Sequence, residues 1–371
     1  MPRIVPLLGS DDRVVAGIRR IRSDGDVPLV LDERMPEAHL TAVRTLVDEA
    51  AVPSDAAWAT LTSGSTGVPR VVVRTDASWR SSHAAVSDLL DAGPADGIAL
   101  PAPPASSLTL FSLAHAEAGG PRPVLVGRDG DARGAVCFHG TPQGLARLLA
   151  AGGTTPLRTA LVGGAALDPA LRAEAEARGI RVVAYYGAAE LSFVAIDAGD
   201  GLRPFPGVDV DVRNGRLWVR SSTVAIGYLG RPGALRRDGG WATVGDLAEL
   251  VGGRLLLRGR ADGAILTAAA TVVPEEVEAA LRTLSGVADA VVFGLPVPGI
   301  GALVAALVEP RASGPGLDVA SLRSGAAAVL APASRPRVWF AGPVPRTAAG
   351  KPARAEAIRR ATSGEADRLA G

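Results

Sequence analysis

The feature that most constrains the fold is an alternation of β-branched apolar runs with amphipathic segments along the first half of the chain. Val71–Val73 and Arg158–Val162 have the apolar character of buried strands, and Asp168–Arg178 has the spacing of a helix. Arg181–Tyr186 then predicts a further strand. Because such alternation is typical of helices layered on parallel strands, we predict an α/β architecture for this half.

The pattern changes after about residue 200, where polar and apolar residues alternate with a period of two. Val208–Val212 and Leu217–Val219 predict two strands, and the intervening Asn214 and Gly215 form a typical hairpin turn. This region therefore predicts a β-rich subdomain beside the α/β layers.

A third unit is expected to begin near Arg260. Thr271–Leu284 predicts an amphipathic helix, with Pro274 near its start and two glutamates in its first turn. The following segments predict two strands, a helix and one more strand, at Ala290–Phe293, Leu303–Val308, 317–330 and Val338–Phe340. We therefore predict a small α+β module of about 110 residues, which is large enough to fold on its own.

Composition excludes several functional classes. The net charge of +1 offers no basic face for nucleic acid, and no apolar run approaches the roughly 20 residues of a transmembrane helix. A single cysteine, Cys137, supports neither an internal disulfide nor a cysteine-based zinc site. We therefore expect a cytoplasmic enzyme without membrane insertion or nucleic-acid partners, with a homodimer left open. No metal-ligand spacing connects the four histidines, His39, His83, His115 and His139.

One of the 39 basic residues is a lysine, Lys351. Its ammonium is a compact charge on a flexible stem, so it can approach a reacting oxygen directly. The alternative is that one lysine survived by chance in an Arg-rich composition. Gly350 directly before it, together with the motifs upstream, favours a functional role.

A second motif is the loop Thr62-Ser63-Gly64-Ser65-Thr66-Gly67-Val68-Pro69-Arg70. Its small residues let backbone N–H groups converge on an anion, and its hydroxyls add donors, as in a phosphate-binding nest. It lacks the Gly-Lys-Ser/Thr ending of a Walker loop. Taken alone, such a stretch is more often a flexible loop, so its position between two predicted strands matters.

This loop resembles the phosphate loop of the acyl-adenylate-forming (AMP-binding) enzyme superfamily, and five further segments resemble that family's motifs in the same order. The whole resemblance covers roughly residues 55–355, and its layout is most similar to compact bacterial o-succinylbenzoate–CoA ligases. The five further segments are Leu161–Ala165, Tyr185–Glu190, Trp241–Asp246, Gly259–Asp262 and Pro345–Lys351.

The resemblance implies a fold and a domain division. A large N-terminal domain of layered α/β subdomains with a β-rich subdomain would span residues 1–258 and bind ATP and the acid. A hinge at 259–263, centred on Asp262, would lead to a small mobile α+β domain at 264–371 that carries Lys351.

The resemblance also implies residue roles. The loop residues Thr62, Ser63, Gly64, Ser65, Thr66, Gly67 and Arg70 would hold the phosphates of ATP. Adenine and ribose would be bound by Gly163, Gly164, Ala165, Tyr186, Gly187, Asp246 and Arg260. Glu190 would hold Mg²⁺, with Thr66 contributing through the phosphates. Lys351 would bridge the substrate carboxylate and the α-phosphate, and stabilise the charge that develops there.

Each of these residues also has a simpler interpretation when it is taken alone. Asp246 could be a turn residue, Tyr186 could belong to the core, Glu190 could be a solvated carboxylate at a helix start, and Arg260 could be one of many surface arginines. His139 could border the acyl pocket or be structural. The order of the motifs supports the functional interpretation.

Four positions depart from the family pattern. Arg70 replaces a lysine, and Ala189 replaces a hydroxyl residue, a loss of about 0.5–1.5 kcal/mol. Pro103 and Pro104 stand where the most similar relatives have a histidine pair, which questions o-succinylbenzoate itself as the substrate. Thr267–Ala270 replaces a loop that often contains a glycine pair beside the pantetheine thiol, and Ala resists positive φ.

Three functions remain open at this point. The first is an acid–CoA ligase that uses ATP, Mg²⁺ and coenzyme A to activate a small carboxylic acid. The second is an enzyme that loads the acyl group onto a carrier protein, or that stops at the adenylate. The third is a non-catalytic relative that binds nucleotide. The sequence does not identify the acid, because the apolar residues Leu108, Leu110, Phe111, Leu191 and Phe193 fit an aromatic acid or plain core packing equally well.

Overall fold

The computed structural model describes most of the chain. The described residues are 1–9, 12–35, 37–62, 70–126, 132, 134–151, 156–260, 265–266, 271–297, 301–312, 316–330, 334–347 and 350–369, with the backbone alone at 12, 259–260, 266, 271, 297 and 301.

The N-terminal region alternates strands and helices. Its elements in chain order are β1 (Ile4–Leu8), α1 (Asp12–Ser23), β2 (Val27–Leu31), α2 (Glu37–Glu49), β3 (Trp58–Thr62), β4 (Arg70–Arg74), α3 (Asp76–Leu90), β5 (Gly97–Leu100), α4 (Ser107–Glu117), β6 (Arg122–Leu125), β7 (Ala135–Gly140), α5 (Pro142–Ala150), β8 (Thr159–Val162), α6 (Pro169–Ala177), β9 (Arg181–Ala188) and β10 (Ser192–Asp197).

The following region is almost entirely β-structure. Its strands are β11 (Arg203–Pro204), β12 (Asp209–Arg213), β13 (Arg216–Arg220), β14 (Gly227–Tyr228), β15 (Arg236–Asp238), β16 (Trp241–Thr243), β17 (Asp246–Val251) and β18 (Arg254–Arg260). The predicted hairpin is present, since Asn214 and Gly215 both have positive φ between β12 and β13. Such a turn matches the twist of the strands that it joins.

The C-terminal region is a separate α+β arrangement. Its elements are β19 (Ile265–Leu266), β20 (Thr271–Val272), α7 (Pro274–Arg282), β21 (Val287–Val297), β22 (Gly301–Pro310), α8 (Val319–Val329), β23 (Val338–Ala341), α9 (Arg354–Ser363) and β24 (Asp367–Arg368). The sheet β21-β22-β23-β24 carries an apolar cluster on each face. The predicted start of this unit near Arg260 falls at the end of β18, which pairs with β17.

The central sheet of seven strands has the order β11-β10-β9-β8-β7-β5-β6, and its strands β5 to β9 run parallel. Helices α3 and α4 pack on this sheet, as do α5 and α6, and their contacts form two separate apolar clusters. The strands read as nearly continuous apolar runs because both faces of a parallel sheet are buried. The prediction of an α/β fold with parallel strands is confirmed.

Local signals set the helix boundaries near this sheet. The side chain of Asp168 accepts the N–H of Ala170 and caps α6, and Pro169 follows at the first helical position. Thr141 caps α5 in the same way through the N–H of Gly144. Helix α5 therefore begins directly after β7, and α6 begins after the loop that follows β8. The first turns of both helices follow the carboxyl ends of these strands in the chain.

A second sheet, of order β1-β2-β3-β4-β14, shares an apolar cluster with helices α3 and α4 and the central sheet. Thr62 and Arg70 pair across β3 and β4, so the predicted phosphate loop joins the ends of a hairpin. The loop residues between them, 63–69, lie outside the described residues, as do the predicted hinge residue Asp262 and the Thr267–Ala270 segment. No helix within the described ranges is long and apolar enough to cross a bilayer.

Candidate active site

The loop that follows β8 has no room for a side chain at Gly163. A Cβ added to Gly163 would lie 2.2 Å from Cζ of Tyr185, whose ring packs directly on this backbone. Gly164 follows with φ +83, a conformation that side chains disfavour. Both glycines lie at the carboxyl end of a parallel strand, which is where α/β sheets bind ligands. Ala165, the next predicted site residue, is exposed.

The sole lysine lies at this strand end. A Cβ added to Gly164 would be 3.6 Å from Cε of Lys351, so the lysine stem crosses the glycine backbone. The preceding residue, Gly350 (φ +79), lies against α5, since its added Cβ would be 2.5 Å from Oε1 of Gln143. The C-terminal unit therefore docks its lysine loop onto the large domain, with the ammonium stem at the strand ends.

Hydrogen bonds within the lysine loop, residues 345–351, hold the backbone around Lys351. Thr347 N–H donates to the Lys351 carbonyl at 2.8 Å, and Lys351 N–H donates to Oγ1 of Thr347 at 3.2 Å. Arg346 donates to the Gly350 carbonyl at 3.1 Å and forms an ion pair with the carboxylate of Asp289 in β21. The backbone on either side of Lys351 is therefore held, while its side chain is exposed.

Behind the lysine loop, Arg354 anchors the start of α9. Its Nη2 donates to Glu278 at 2.7 Å and to Glu275 at 3.1 Å, and its Nε donates to the Val292 carbonyl at 2.8 Å. Glu278 also accepts the Val292 N–H at 2.9 Å and is 4% exposed. Burial raises the pKa of Glu278, and the two glutamates raise the pKa of Arg354 although burial alone would lower it.

The predicted nucleotide residues Tyr186 and Asp246 are in contact. The Tyr186 hydroxyl donates a hydrogen bond to Oδ2 of Asp246. Asp246 begins β17 and pairs in register with Arg260 at the end of β18, so all three predicted residues meet at one edge of the site. Gly187 next to Tyr186 has no space for a side chain, because its added Cβ would lie 2.2 Å from the Ser192 carbonyl oxygen.

Glu190 lies in the tight turn between β9 and β10, so the alternative of a solvated carboxylate at a helix start is wrong. It is 8% exposed, and its Oε1 accepts the Tyr228 hydroxyl at 2.6 Å. The Glu190 carbonyl accepts the Ala225 N–H at 2.7 Å. Burial raises the pKa of Tyr228, and the hydrogen bond to Glu190 raises it further.

A buried arginine supports this turn. Arg74 is fully buried, donates from Nε to the Ala189 carbonyl at 3.0 Å and from Nη1 to the Thr223 carbonyl at 2.7 Å. Burial lowers the pKa of Arg74 to about 9, against the opposing effect of Glu190. With that pKa the residue stays cationic at neutral pH, so a charged donor holds the turn.

Sequence reasoning missed Arg74 and Tyr228. Arg74 ends the apolar run of β4, where a charge directly after three buried valines was the available signal. Tyr228 is one of only three tyrosines in the chain, which was a weaker signal. Neither residue lies in a segment that resembles the family motifs, and only the folded chain brings them to Glu190.

His139 is the penultimate residue of β7 and pairs in register with Leu161 of β8. It is 1% exposed and bonds Ser112 at 2.7 Å and the Tyr185 hydroxyl at 2.9 Å. Burial lowers the pKa of His139 to about 3, so the ring is neutral. Of the five apolar residues considered for an acid pocket, Leu110, Phe111, Leu191 and Phe193 are buried in the core.

The donor set around Glu190 fits a magnesium ion held jointly by protein and nucleotide. Within the described part of the chain, no group of three His, Cys, Asp or Glu side chains could hold a metal ion by itself. Mg²⁺ in nucleotide enzymes is commonly bound by one or two carboxylates plus phosphate oxygens. Glu190 supplies one such carboxylate, with its backbone and one oxygen fixed, which is consistent with that arrangement.

The chain belongs to the AMP-binding enzyme family. The family model for AMP-binding enzymes matches residues 11–229, and the model for their C-terminal domain matches residues 276–351. The resemblance inferred from the six motifs is thereby confirmed.

Three curated relatives are named for the same activity. The 2-succinylbenzoate–CoA ligase of Escherichia coli is 33% identical over 254 residues, which cover 64% of this chain and 54% of that protein. The corresponding Salmonella typhimurium protein is covered to 50%, so the match spans about half the length of these two relatives. A probable 2-succinylbenzoate–CoA ligase of Mycobacterium tuberculosis is 32% identical over 387 residues, 98% of each chain.

Solved structures share the fold. Escherichia coli MenE with bound OSB-AMS superposes with a TM-score of 0.82 at 22% identity, covering 97% of this chain and 88% of that one. MenE from Bacillus subtilis with ATP and magnesium ion gives a TM-score of 0.80 at 21% identity, covering 95% and 88%.

Proposed function

We propose that this protein is an ATP-dependent acid–CoA ligase that acts through an acyl-adenylate. The observation that carries the proposal is the lysine stem of Lys351 crossing Gly164 at the carboxyl ends of the parallel strands. Relatives 33% and 32% identical are named 2-succinylbenzoate–CoA ligase, which makes an aromatic dicarboxylic acid of that type the first substrate to test.

In the first half-reaction, a carboxylate oxygen of the acid attacks the α-phosphorus of ATP. A P–O bond forms, the bond to pyrophosphate breaks, and pyrophosphate leaves with the electron pair. The ammonium of Lys351 stabilises negative charge between the carboxylate and the α-phosphate, an effect that needs no reorganisation when the group is already in place. The loop from Thr62 to Arg70 holds the β- and γ-phosphates, including through Ser63, Thr66 and Gly67.

The nucleoside lies between Tyr186 and the β17–β18 pair. Tyr186 stacks on adenine, while its hydroxyl holds Asp246 in position to accept the ribose hydroxyls. Arg260, opposite Asp246 in the strand register, completes the ribose contact.

Mg²⁺ is the expected metal cofactor, held by Glu190 and, through the phosphates, by Thr66. When bound, the ion supplies positive charge to the phosphate oxygens as pyrophosphate departs. Glu190 suits this role because its backbone and one carboxylate oxygen are both fixed.

In the second half-reaction, the thiol sulfur of coenzyme A attacks the acyl carbon. A C–S bond forms, the C–O bond to AMP breaks, and the thiol proton passes to solvent. The C-terminal unit at 264–371 is proposed to rotate about Asp262 within the 259–263 hinge between the two steps, relative to an N-terminal domain at 1–258. Its own apolar clusters on both sheet faces support movement as one body.

The test is pyrophosphate exchange across a panel of carboxylic acids that includes o-succinylbenzoate, followed by CoA-dependent release of AMP. Lys351→Ala should lower the exchange rate about 100–1000-fold, while Arg359→Ala, an exposed change on α9, should not. Absence of exchange with every acid would defeat the proposal. A Lys351→Ala variant as active as the wild type would instead favour a non-catalytic nucleotide-binding relative.

Transfer to an acyl carrier protein is the second candidate. A Mycobacterium tuberculosis relative that is 29% identical over 231 residues is named a medium/long-chain-fatty-acid–[acyl-carrier-protein] ligase. Mass spectrometry of a phosphopantetheinylated carrier after incubation with acid and ATP separates the two acceptors, because efficient acyl-CoA formation counts against the carrier. Because ATP and coenzyme A are the proposed substrates, we place the activity in the cytoplasm. A homodimer is also possible in this proposal, and light scattering tests for it.

A further inference from the structure

The hydroxyl of Tyr228 has only one way to place its proton. Its oxygen accepts the backbone N–H groups of Ala234 at 3.1 Å and Leu235 at 3.2 Å. A phenol has one proton and can accept through its oxygen lone pairs. With two N–H donors on the oxygen, the proton is directed to Oε1 of Glu190, 2.6 Å away. The two backbone N–H groups therefore determine that Tyr228 is the donor and Glu190 the acceptor in this hydrogen bond.

The ring of Tyr228 is also fixed. Strand β14 pairs with β4 and sets Tyr228 opposite Val72. On another side, a Cβ added to Gly233 would lie 2.2 Å from Cε2 and Cζ of the ring, so the ring packs directly on the backbone there. A side chain held by strand pairing, by ring packing and by two backbone donors has little freedom to follow Glu190 if that carboxylate moves.

The second carboxylate oxygen of Glu190, Oε2, differs from Oε1 in its hydrogen bonding. Within the described residues, Oε2 accepts no hydrogen bond, whereas Oε1 is occupied by Tyr228. The backbone of Glu190 is fixed by Ala225, and the preceding carbonyl of Ala189 is fixed by Arg74. The carboxylate therefore has one oxygen that is held by protein and one that remains as an acceptor.

We propose that Tyr228 is a positioning residue that holds Oε1 of Glu190 and thereby presents Oε2 to the magnesium ion of the nucleotide complex. The inference rests on the proposed function, because it assumes that Glu190 is the metal ligand. Partners that orient a metal ligand typically affect metal affinity or activity about 10- to 100-fold when they are removed. A purely structural role for Tyr228 would instead change stability without changing metal affinity selectively.

The experiment measures metal affinity directly. Mn²⁺ replaces Mg²⁺ as a spectroscopic probe, and its dissociation constant is measured by electron paramagnetic resonance on the full-length protein saturated with α,β-methylene-ATP. Tyr228→Phe should raise this constant about 10-fold and leave the nucleotide affinity measured in EDTA unchanged. Tyr185→Phe, which also removes a phenol hydrogen bond but contacts His139, should keep the wild-type metal affinity.

A double-mutant cycle shows whether Tyr228 acts through Glu190. In a Glu190→Gln background, Tyr228→Phe should produce no further loss of Mn²⁺ affinity, because residues that act as a unit are not additive. In pyrophosphate exchange, Tyr228→Phe should raise the half-saturating Mg²⁺ concentration and recover most of its rate at saturating Mg²⁺. Wild-type metal affinity in Tyr228→Phe, or equal losses of nucleotide affinity with and without metal, would overturn the inference.

Two further outcomes remain interpretable. If Tyr228→Phe does not fold, Gly233→Ala displaces the same ring and should weaken Mn²⁺ binding similarly; unchanged binding there would contradict the proposal. If the wild type binds nucleotide and Mn²⁺ but exchanges pyrophosphate with no acid, the proposed function fails, while the Tyr228 inference is still decided by the affinity data.

Discussion

Removing Arg354 should destabilise the C-terminal unit more than removing Glu278, the buried glutamate that it contacts. The side chain of Glu278 is 5% exposed, and Arg354 is its ion-pair partner at 2.7 Å. Arg354→Met keeps an apolar stem but leaves Glu278 buried with only the Val292 N–H as a described donor. Breaking a buried pair in this way costs about 3–5 kcal/mol, because a buried charge is left uncompensated.

Replacing the carboxylate partner should lower the free energy of unfolding by a smaller amount. In Glu278→Gln, Arg354 still has Glu275 at 3.1 Å and the Val292 carbonyl at 2.8 Å. The loss is then roughly that of a hydrogen bond to a charged group, about 1.5–3 kcal/mol. The order of the two effects follows from the fact that Arg354 has several acceptors, whereas Glu278 depends on one cation.

Hydrogen exchange with mass spectrometry measures how these substitutions change the local stability of the C-terminal unit. The opening free energy is compared for peptides from β21 and α9, since regions open independently. Arg359→Met is the matched control, because Arg359 lies on the same helix but pairs with Glu356 and Glu365 at the exposed surface. Equal losses of protection in the Arg354 and Arg359 variants, or a larger loss in Glu278→Gln, would refute the reasoning.

The same variant should show a defined pH dependence. Burial raises the pKa of Glu278 above its ordinary value in the folded state, so the unfolded protein releases that proton at lower pH. Its contribution to stability is therefore largest below the unfolded pKa and is lost as the pH rises through the folded pKa. The deficit of Arg354→Met relative to the wild type should shrink as the pH is lowered toward the unfolded pKa of Glu278, because the buried carboxyl is then protonated and needs no cation.

Three other predictions concern the site and its surroundings. Gly163→Ala sets a methyl group 2.2 Å from the Tyr185 ring and should cost about 1–3 kcal/mol of unfolding free energy in thermal denaturation, as overpacking does. Tyr186→Phe removes the hydrogen bond that holds Asp246, and calorimetric ATP affinity should fall about 5-fold, the equivalent of about 1 kcal/mol. Burial lowers the pKa of His83 to about 4 in the folded protein, so His83 takes up a proton on unfolding when the pH is below its ordinary pKa of 6.5. The free energy of unfolding therefore falls as the pH drops. His83→Leu should make that fall less steep when the free energy is measured by denaturant titration.

Each of these has a contradicting outcome. Gly93→Ala is the control for the glycine substitution, because its added Cβ meets nothing within 4 Å; equal destabilisation by both changes would show that the ring contact is unimportant. Unchanged ATP affinity in Tyr186→Phe would remove Asp246 from the nucleotide contact. An acid decline in His83→Leu as steep as in the wild type would assign the proton uptake to other groups.

Much of the architecture followed from local sequence signals. The Asn214–Gly215 turn was predictable because few residues tolerate positive φ, and the structure has it there. The start of α6 was predictable because Asp168 and Pro169 both favour a helix beginning. Boundaries were less accurate where tertiary pairing extends a strand: Ala290–Phe293 was predicted, but β21 spans Val287–Val297 because β22 pairs along its whole length.

The sequence by itself determined the family, the order of its motifs and the candidate lysine, because these depend on residue types at short spacing. Only the tertiary structure showed that Tyr228 meets Glu190, 38 residues away, and that Arg74 reaches the Thr223 carbonyl across 149 residues. Only the fold also brings Lys351 to Gly164. The physical reason is that hydrogen bonds and packing act over a few ångströms in space, so the partner of a side chain is set by how distant strands are brought together.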